Sequence, residues 1–265
     1  MDLGLKNKTA FIAGASSGLG LAATEALLRE GCNVAPCSRN RGRIDAAAVH
    51  LGNSEKVLPV VCDVTNEAHI EAAIDSVVAH FGGLNIIVTN AGGPPTGYVG
   101  DFDAKTWRRG LDLNLVSTIN MCRHALPHLK RAAVETGLAR ILMVTSIAAK
   151  QPIPSLYLSN TARAGVQGFA KTLSEEVGPS GITVNTILPG FTRTARLRHL
   201  VDDIQTRTGQ TAEEIEAEWA AGAALKRLAE PGEFAAVAAF LCSARASYIT
   251  GCAIPVCGGY SKHVF

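Results

Sequence analysis

The sequence predicts an α/β fold in which a parallel sheet of about seven strands is doubly wound, with helices on both faces. Short apolar segments alternate with amphipathic segments from one end of the chain to the other. Most of the apolar segments are continuous rather than alternating, which indicates strands that are buried on both faces. No linker rich in proline, glycine or serine divides the 265 residues, so we expect a single domain over 1–265.

The elements follow from these runs in chain order. Thr9–Ile12 is the first strand, and the next residues that read as a helix are 21–28. Further strands are predicted at 34–37, 57–62, 84–89, 140–145, 182–188 and 253–256. Helices are predicted at 41–51, 66–81, 103–133, 161–178 and 231–243. This alternation is typical of a doubly wound α/β domain.

The segment 193–224 breaks the alternation, because it is polar, charged and only partly helical. Ligands of open α/β sheets bind beyond the carboxyl ends of the strands, and this segment follows the sixth strand. We therefore interpret it as a lid over the substrate, with a pair of surface helices of no special role as the alternative. The loop 93–100 is expected to form another wall of the same site.

The bulk composition argues against nucleic acid, membranes and metals as partners. A net charge of +2 leaves no basic surface of the kind that binds nucleic acid. No apolar run is long enough to span a bilayer, and the first residues lack the apolar core of a signal peptide. The seven cysteines and seven histidines show no metal-ligand spacing. We therefore expect a cytoplasmic protein with free thiols.

The glycine-rich turn Ala13–Gly20 connects the first strand to its helix, which is the context of a dinucleotide-binding site. Glycines in such a turn allow a tight bend, a close approach to phosphate and close helix–sheet packing. The helix N-terminus then offers unpaired N–H groups to a pyrophosphate. The residues assigned to the cofactor here are Gly14, Ser16, Ser17, Gly18, Leu19 and Gly20.

The end of the second strand indicates which dinucleotide is bound. Ser38, Arg39 and Asn40 stand where an acidic residue would bind the 2′-hydroxyl of NAD(H). No acid is present, and the guanidinium of Arg39 suits a 2′-phosphate, so NADP(H) is favoured over NAD(H). A solvent-facing arginine is the alternative.

Two further strand ends are assigned to the cofactor. Asp63 and Val64 follow the third strand, where a carboxylate can accept from the adenine amino group; a helix N-cap at Asp63 or Thr65 is the alternative. The fourth strand is followed by Asn90, Ala91 and Gly92, where backbone can approach the cofactor. Asn90 that only stabilises its own turn is the alternative there.

Together these segments resemble the short-chain dehydrogenase/reductase family, and within it the 3-oxoacyl-(acyl-carrier-protein) reductases, over essentially the whole chain. The matching positions are Gly14-x-x-x-Gly18-x-Gly20, Asp63-Val64, Asn90-Ala91-Gly92, Asn114, Ser146, Asn185-x-x-x-Pro189-Gly190, Tyr248-Ile249-Thr250-Gly251 and Gly258-Gly259. The resemblance implies a Rossmann-type fold and hydride transfer between an alcohol and a carbonyl. It implies a nicotinamide cofactor, also contacted by Pro189, Gly190 and Thr192. It also implies a homotetramer or homodimer, with the helices near 103–133 and 161–178 at an interface.

The catalytic signature departs from the family, which uses Ser, Tyr-x-x-x-Lys and Asn. Counting from Ser146 places Ser159 at the Tyr position and Arg163 at the Lys position, i and i+4 on one helical face. Arg163 keeps the positive charge and suits two ribose hydroxyls, but it cannot shuttle protons. Tyr157 is a stand-in only if it turns toward the site; otherwise it packs at the rim. Cys257, where the family usually has Asp, is not read as catalytic.

These assignments give each catalytic residue an expected role. Ser146 hydrogen-bonds the carbonyl oxygen, Asn114 holds a water, Arg163 binds ribose, and Ser159 or its water passes the proton. Arg193, Arg196 and Arg198 form a basic cluster that could meet an anionic substrate, such as an acyl thioester of phosphopantetheine, or the cofactor phosphates. A solvated helical face is the alternative. In the same way, Thr192 and Thr194 either contact the nicotinamide amide or cap the next helix.

Two functions are compatible with the sequence. The first is an NADP(H)-dependent oxidoreductase that interconverts a ketone or 3-oxoacyl group and a secondary alcohol, with an atypical proton relay. The second is an NADP(H)-binding sensor or partner subunit with little or no catalysis. A purely structural subunit is disfavoured by the intact glycine-rich turn.

Overall fold

A parallel sheet forms the middle layer of the protein. The structure, a computed structural model, describes residues 1–264. Within that range the strands are β1 (Thr9–Ile12), β2 (Asn33–Ser38), β3 (Val60–Val61), β4 (Ile86–Thr89), β5 (Ala139–Val144), β6 (Ile182–Pro189) and β7 (Ala253–Val256). Their order across the sheet is β3-β2-β1-β4-β5-β6-β7, and every neighbouring pair is parallel. The predicted fold class is confirmed.

Helices cover both faces of the sheet. They are α1 (Gly18–Arg29), α2 (Arg41–His50), α3 (Glu67–Phe81), α4 (Ala104–Leu111), α5 (Ser117–Thr136), α6 (Tyr157–Val177), α7 (Ala195–Thr208), α8 (Ala212–Gly222) and α9 (Pro231–Cys242). One apolar core joins the sheet to α3, α5 and α6, and a second joins its other face to α1, α2 and α9. The strands β1, β4, β5 and β6 are buried along their whole length, as their continuous apolar sequences predict.

Three predicted elements differ from the observed ones. The third strand shrinks from 57–62 to Val60–Val61, because it is an edge strand and Pro59 has no N–H to donate. The predicted helix 103–133 is divided by a π-helical turn, Asp112–Val116, into α4 and α5. The predicted helix 161–178 begins earlier, at Tyr157, so it already includes Ser159.

The sheet and its crossovers determine where a ligand can bind. β1 lies between β2 and β4, so the direction of winding reverses between β1 and β4. The loops that leave the carboxyl ends of these strands diverge to opposite faces and open a crevice there. The glycine-rich turn after β1 lies at this point, and the segments after β4, β5 and β6 adjoin it.

The glycine-rich turn tolerates no added side chain at Gly20. A Cβ there would overlap the carbonyl oxygen of Gly14, which begins the same turn with a φ of 58°. We expect Gly20→Ala to reduce the free energy of unfolding by about 1–3 kcal/mol, because the turn must shift to make room. Urea unfolding measures this value.

Gly232→Ala is the matched control, since Gly232 also lies in the first turn of a helix and a Cβ there meets nothing within 4 Å. The control should change stability by no more than about 1 kcal/mol, in the stabilising direction. Equal stability of the two variants would contradict the packing that we describe at Gly20.

Candidate active site

A cavity of about 280 Å³ opens at the carboxyl edge of the sheet. Its walls come from the glycine-rich turn, from the segments after β4, β5 and β6, and from the first turns of α6 and α7. The predicted site residues that line it are Gly14, Ser17, Gly18, Leu19, Asn90, Ala91, Gly92, Ser146, Ser159, Arg163, Pro189, Gly190 and Thr192. The topology therefore gathers residues from most of the chain into one cavity.

The other predicted residues lie around this cavity rather than in its wall. Ser16 is half-buried in the glycine-rich turn, and Gly20 packs against the same turn. Asn114 lies behind the segment that follows β4. The remaining ones lie at the ends of β2 and β3, which extend the crevice sideways, and are Ser38, Arg39, Asn40, Asp63 and Val64.

Asn90 holds the glycine-rich turn against the end of β4. Its Nδ2 donates to the carbonyl oxygens of Ala13 and Gly14, at 3.3 Å each. The turn is also bonded to the neighbouring strands, since Ala13 N–H donates to Val88 and Ala15 N–H donates to Cys37. Asn90 thus stabilises the turn that follows the first strand. The predicted alternative was that it stabilises only its own turn. A preformed turn lowers the cost of ordering a bound ligand.

The strand β2 leads into the N-terminus of α2, which carries several positive charges. Asn40 caps α2 by accepting from Arg43 N–H at 2.9 Å, and Ser38 Oγ accepts from Asn40 N–H. Arg39, Arg41 and Arg43 are all exposed around this terminus. Arg41 has a partial counter-charge in Asp45 at 3.6 Å. Arg41 and Arg43 are not among the cofactor residues predicted from the sequence, although three alternating arginines directly after a strand were a visible signal.

Asp63 is fixed by its own loop. Its Oδ1 accepts from the N–H of Thr65 at 3.0 Å and from the hydroxyl of Thr65 at 2.8 Å. Burial raises the pKa of Asp63, but these two hydrogen bonds and the charge of Arg39 together outweigh it, so its pKa lies below the ordinary value. The predicted alternative, that Asp63 or Thr65 caps the next helix, is wrong, because Asn66 caps α3.

The side chain of Val64 points into the protein interior and not toward the crevice. Its side chain packs against the core cluster between the sheet and the helices α3, α5 and α6. Any contact of Val64 with a cofactor therefore falls to its backbone.

Ser146 follows β5 and caps a short 3-10 helix, Ile147–Ala149. Its Oγ accepts from the N–H of Ala148 at 3.1 Å. Because this bond uses Oγ as an acceptor, the hydroxyl hydrogen of Ser146 is left to donate into the cavity that the residue lines.

Ser159 and Arg163 form a hydrogen-bonded pair one turn apart on α6. Arg163 Nε donates to Ser159 Oγ at 3.1 Å. Arg163 Nη1 donates to the carbonyl oxygens of Val144 and Thr145, at 3.2 and 2.8 Å, where the β5 strand ends. Three of the five guanidinium N–H groups are thereby used, and the two on Nη2 remain for a ligand.

Arg163 is half-buried and keeps its positive charge. Desolvation, and to a smaller extent the charge of Arg196, lowers the pKa of the Arg163 guanidinium to about 10. The group is therefore still positively charged at neutral pH. Its bond to Ser159 Oγ polarises that hydroxyl and leaves the hydroxyl hydrogen free to point elsewhere.

Asn114 lies in the π-helical turn between α4 and α5, where it is buried. Its Nδ2 donates to the carbonyl oxygen of Gly92 at 2.9 Å, which supports the backbone after β4. Its Oδ1 is buried and has no protein partner among residues 1–264. A buried acceptor without a partner is costly, and an ordered water commonly satisfies it.

Tyr157 does not share the position of Ser159. It is the first residue of α6, its side chain is 41% exposed, and it is not among the cavity-lining residues. Tyr157 lies two positions before Ser159 on the helix, so the two side chains point in different directions. Leu156, by contrast, lines the cavity just before the helix begins.

The predicted lid is a pair of helices, α7 and α8, with a small apolar core of their own. This core consists of Leu197, Val201, Ile215, Trp219 and Leu228. Phe191 links it to the cavity wall by stacking on Trp219, with ring centroids 4.4 Å apart and nearly parallel. Thr194 caps α7 by accepting from Leu197 N–H, as its capping alternative predicts, and Thr192 Oγ1 donates to Gly190.

The three arginines of the predicted basic cluster have different environments. Arg193 pairs with Glu216 at 2.8 Å and with Glu230 at 3.3 Å. Arg196 donates from Nη2 to the carbonyl oxygen of Pro94 at 3.1 Å and lines the cavity. Arg198 is exposed and lies outside the cavity wall. All three side chains are exposed, but one is ion-paired, one lines the cavity and one lies outside it.

Over the part of the chain that the structure describes, His, Cys, Asp and Glu side chains form no group of three that could hold a metal ion. Over the same residues, no helix combines the length and apolar character that a membrane crossing requires. The cysteines in this range are free thiols, and Cys257 lies against Gly190 at the end of the sheet.

Comparisons with known proteins identify the family. A family model described as enoyl-(acyl carrier protein) reductase matches residues 14–261. Dehydrogenase/reductase SDR family member 4 of Bos taurus is 32% identical over 262 residues, which cover 98% of this chain and 89% of the relative. The chain belongs to the short-chain dehydrogenase/reductase family of oxidoreductases.

Two further family members cover nearly the whole chain. The 3-oxoacyl-(acyl-carrier-protein) reductase FabG of Vibrio cholerae is 32% identical over 257 residues, which cover 97% of this chain and 98% of the relative. A crystal structure of L-sorbose reductase from Gluconobacter frateurii, complexed with NADPH and L-sorbose, superposes with a TM-score of 0.92. That reductase is 32% identical, and each chain is covered over its full length. The predicted resemblance to this family is confirmed.

Proposed function

We propose that this protein is an NADP(H)-dependent oxidoreductase that interconverts a carbonyl and a secondary alcohol by hydride transfer. One observation carries the proposal: a preformed glycine-rich turn and a Ser146, Ser159 and Arg163 constellation line the same cavity. The turn serves nucleotide binding, and the constellation offers two hydroxyl donors beside a fixed positive charge. Two relatives, an L-sorbose reductase complexed with NADPH and a 3-oxoacyl-(acyl-carrier-protein) reductase, support the same reaction class.

The residues around the glycine-rich turn fit a dinucleotide. Gly14 and Gly20 pack so closely that no side chain intervenes between the turn and an approaching phosphate. Gly14, Ser17, Gly18 and Leu19 would hold the pyrophosphate at the start of α1, and Asn90, Ala91 and Gly92 would contact the ribose side. Asp63 remains an acceptor for the adenine amino group, since its pKa lies below the ordinary value.

The charge at the end of β2 favours NADP(H) over NAD(H). Arg39, Arg41 and Arg43 surround the N-terminus of α2, and the helix dipole adds to their positive potential. A 2′-phosphate is a dianion that an arginine fork binds well, whereas NAD(H) offers only a hydroxyl there. The neutral ribose hydroxyl of NAD(H) gains little from three arginines at this helix N-terminus.

We assign the proton transfer to the Ser159 hydroxyl. The nicotinamide nucleotide, when bound, supplies the hydride to the carbonyl carbon or takes it from the alcohol carbon. During reduction, Ser146 donates a hydrogen bond to the carbonyl oxygen and stabilises its developing charge. Ser159 donates the proton, and Arg163 stabilises the charge left on Ser159 Oγ through its Nε–H. The Nη2 hydrogens of Arg163 are left for the ribose hydroxyls.

The proton must then be returned to Ser159 from solvent. The unpartnered Oδ1 of Asn114 favours a buried water behind the segment after β4, as the sequence analysis expects. We propose that this water belongs to the path that reprotonates the site. We also propose that α7 and α8 close over the substrate, because Arg196 already reaches from α7 to Pro94 across the mouth of the cavity.

Fluorescence titration with NADPH and NADH, followed by a screen of ketones and 3-oxoacyl thioesters, tests the function. We expect NADPH to bind more tightly than NADH and at least one carbonyl to be reduced. NADPH binding without turnover of any carbonyl would leave the alternative, an NADP(H)-binding sensor. A folded protein that binds neither nucleotide would exclude both functions.

The NADP(H) preference should depend on Arg39. We expect Arg39→Gln to weaken NADPH binding by about tenfold or more, the typical loss for a charge-assisted pair, and to leave NADH binding unchanged. Fluorescence titration of both nucleotides measures this. Arg29→Gln is the control, because Arg29 is also exposed but lies at the far end of α1. Equal losses for NADPH and NADH would contradict a contact with the 2′-phosphate.

Ser159 should be the proton donor and Tyr157 should not. We expect Ser159→Ala to lower kcat by about 10²- to 10⁴-fold, the usual contribution of a positioned acid, with little change in NADPH affinity. Tyr157→Phe removes a hydroxyl two residues away and should retain the parent kcat. Steady-state kinetics and NADPH titration of both variants decide the matter. A large loss in Tyr157→Phe together with a small one in Ser159→Ala would reverse the assignment.

The pH profile should report Arg163. The guanidinium is charged below its pKa of about 10 and loses its charge as the pH rises through that value. We therefore expect kcat to be nearly constant from about pH 6 to pH 9 and to fall above that range. Arg163→Lys should move this fall toward neutral pH, because lysine has a lower intrinsic pKa and the same burial lowers it further. An unmoved fall in Arg163→Lys would contradict a role for this charge.

A further inference from the structure

The cavity holds two arginines and, over residues 1–264, no acidic side chain in its wall. Arg163 enters from α6, and Arg196 enters from the first turn of α7. The two charges are close enough that Arg196 lowers the pKa of Arg163. An apolar or neutral ligand would leave this repulsion in place, whereas a bound anion relieves it.

Arg196 differs from the ion-paired arginines of this region. Arg193 has two carboxylate partners, Glu216 and Glu230, and Arg227 pairs with Glu233 at 2.6 Å. Arg196 has no carboxylate oxygen within 4.0 Å in the described chain, and its contact there is a neutral carbonyl, that of Pro94. One N–H of Nη2 is used in that contact, so most of the guanidinium fork remains available at the cavity mouth.

The backbone beneath Arg196 is shaped to receive its guanidinium. Arg196 lies over Gly93, where a Cβ would come within 2.6 Å of Nη2 and 2.9 Å of Nε. A glycine at this position therefore makes room for the charged group. The contact fixes the fork between α7 and the segment that follows β4, at the end of the cavity where the loop 93–100 begins.

The position of Arg196 separates it from the expected cofactor phosphates. Thr194, two residues earlier, is the residue of α7 that faces the glycine-rich turn, with its Cγ2 3.5 Å from where a Cβ of Gly18 would stand. Arg196 points instead to Gly93 and Pro94. The turn at Gly18 is the expected pyrophosphate site, and the segment at Gly93 and Pro94 is the expected substrate wall.

We propose that Arg196 binds a carboxylate on the substrate, so that this oxidoreductase acts on oxo acids and hydroxy acids. The inference rests on the proposed function, because it assigns the substrate class of the same cavity. The carboxylate accepts two hydrogen bonds from the guanidinium fork, while the carbonyl oxygen faces Ser146 and Ser159. The carboxylate also supplies the negative charge that the wall of the cavity lacks.

Calorimetric titration of the NADP⁺-saturated protein tests this without turnover, since NADP⁺ cannot reduce a ketone. The probes are acetoacetate and 4-oxopentanoate, each compared with its methyl ester. We expect at least one acid to bind about tenfold or more tightly than its ester, which is the usual gain from a charge-assisted pair. Arg196→Gln should bring the acid and the ester to equal affinity. Arg198→Gln removes the same charge from the same helix but lies outside the cavity wall, and it should behave like the parent.

Each result has a defined meaning. No preference for either acid in the parent protein, or an unchanged preference in Arg196→Gln, overturns the inference. A weaker NADP⁺ affinity in Arg196→Gln with an unchanged acid-to-ester ratio assigns the charge to a cofactor phosphate and also overturns it. Reduction of the neutral esters with no preference for acids would leave the proposed function intact. Acid binding that depends on Arg196, with no carbonyl of the screen reduced, would support the carboxylate site but contradict the catalytic function.

Discussion

The arrangement of this site depends on one interaction, the capping of two carbonyl oxygens at the end of β5 by the guanidinium of Arg163. Val144 and Thr145 end the strand with acceptors that project beyond it, and Arg163 Nη1 donates to both. Buried carbonyls need such partners, because an unpaired one costs about 1–3 kcal/mol. The bond fixes α6 against the edge of the sheet, and it thereby fixes Ser159 one turn earlier. A lysine has a single ammonium group and could not cap two carbonyls, hold a serine and still present a forked pair of donors.

The same strand end is supported by further polar contacts. Gln167 lies one turn beyond Arg163 and donates from Nε2 to Thr145 Oγ1, while its Oε1 accepts from Thr186 on β6. Asn160 bonds both the N–H and the carbonyl of Ile153, which holds the segment before α6 in the cavity wall. α6 is thus attached to the sheet at several points, so the hydroxyl and the guanidinium that it carries are held in place. Fixed donors of this kind stabilise a developing charge without having to reorganise.

Sequence periodicity was enough for the fold, because seven buried parallel strands leave continuous apolar runs that few other structures produce. It failed where a tertiary contact decides the local structure. The π-helical turn at Asp112–Val116 has an ordinary helical sequence, and only the burial of Asn114 against Gly92 distinguishes it. The short β3 reflects its place at the edge of the sheet, which no local pattern records. In both cases the deciding neighbour is distant along the chain.

The site shows the same limit. Motif spacing placed Ser159 and Arg163 on one face of a helix, since the distance involved is a single turn. It could not show which of Arg193, Arg196 and Arg198 enters the cavity, because their partners lie 23 to 102 residues away. It also treated Asn90 as a local turn residue or a ligand contact, whereas the amide supports the turn after a different strand. A sequence shows which side chains carry charge or can form hydrogen bonds, but only the fold shows which of them pair with one another.

The small apolar core between α7 and α8 bears on how a ligand enters. The apolar core of α7 and α8 includes Leu228 from the segment after α8, and it is separate from the two cores that cover the sheet. In the closure that we propose, a helix pair packed in this way would move as one body about its two ends, near Gly190 and near Ala223. Phe191 stacks on Trp219 near the first of these ends and so joins the helix pair to the cavity wall. Under that proposal, the size of the ligand admitted would depend on how far the helix pair rotates.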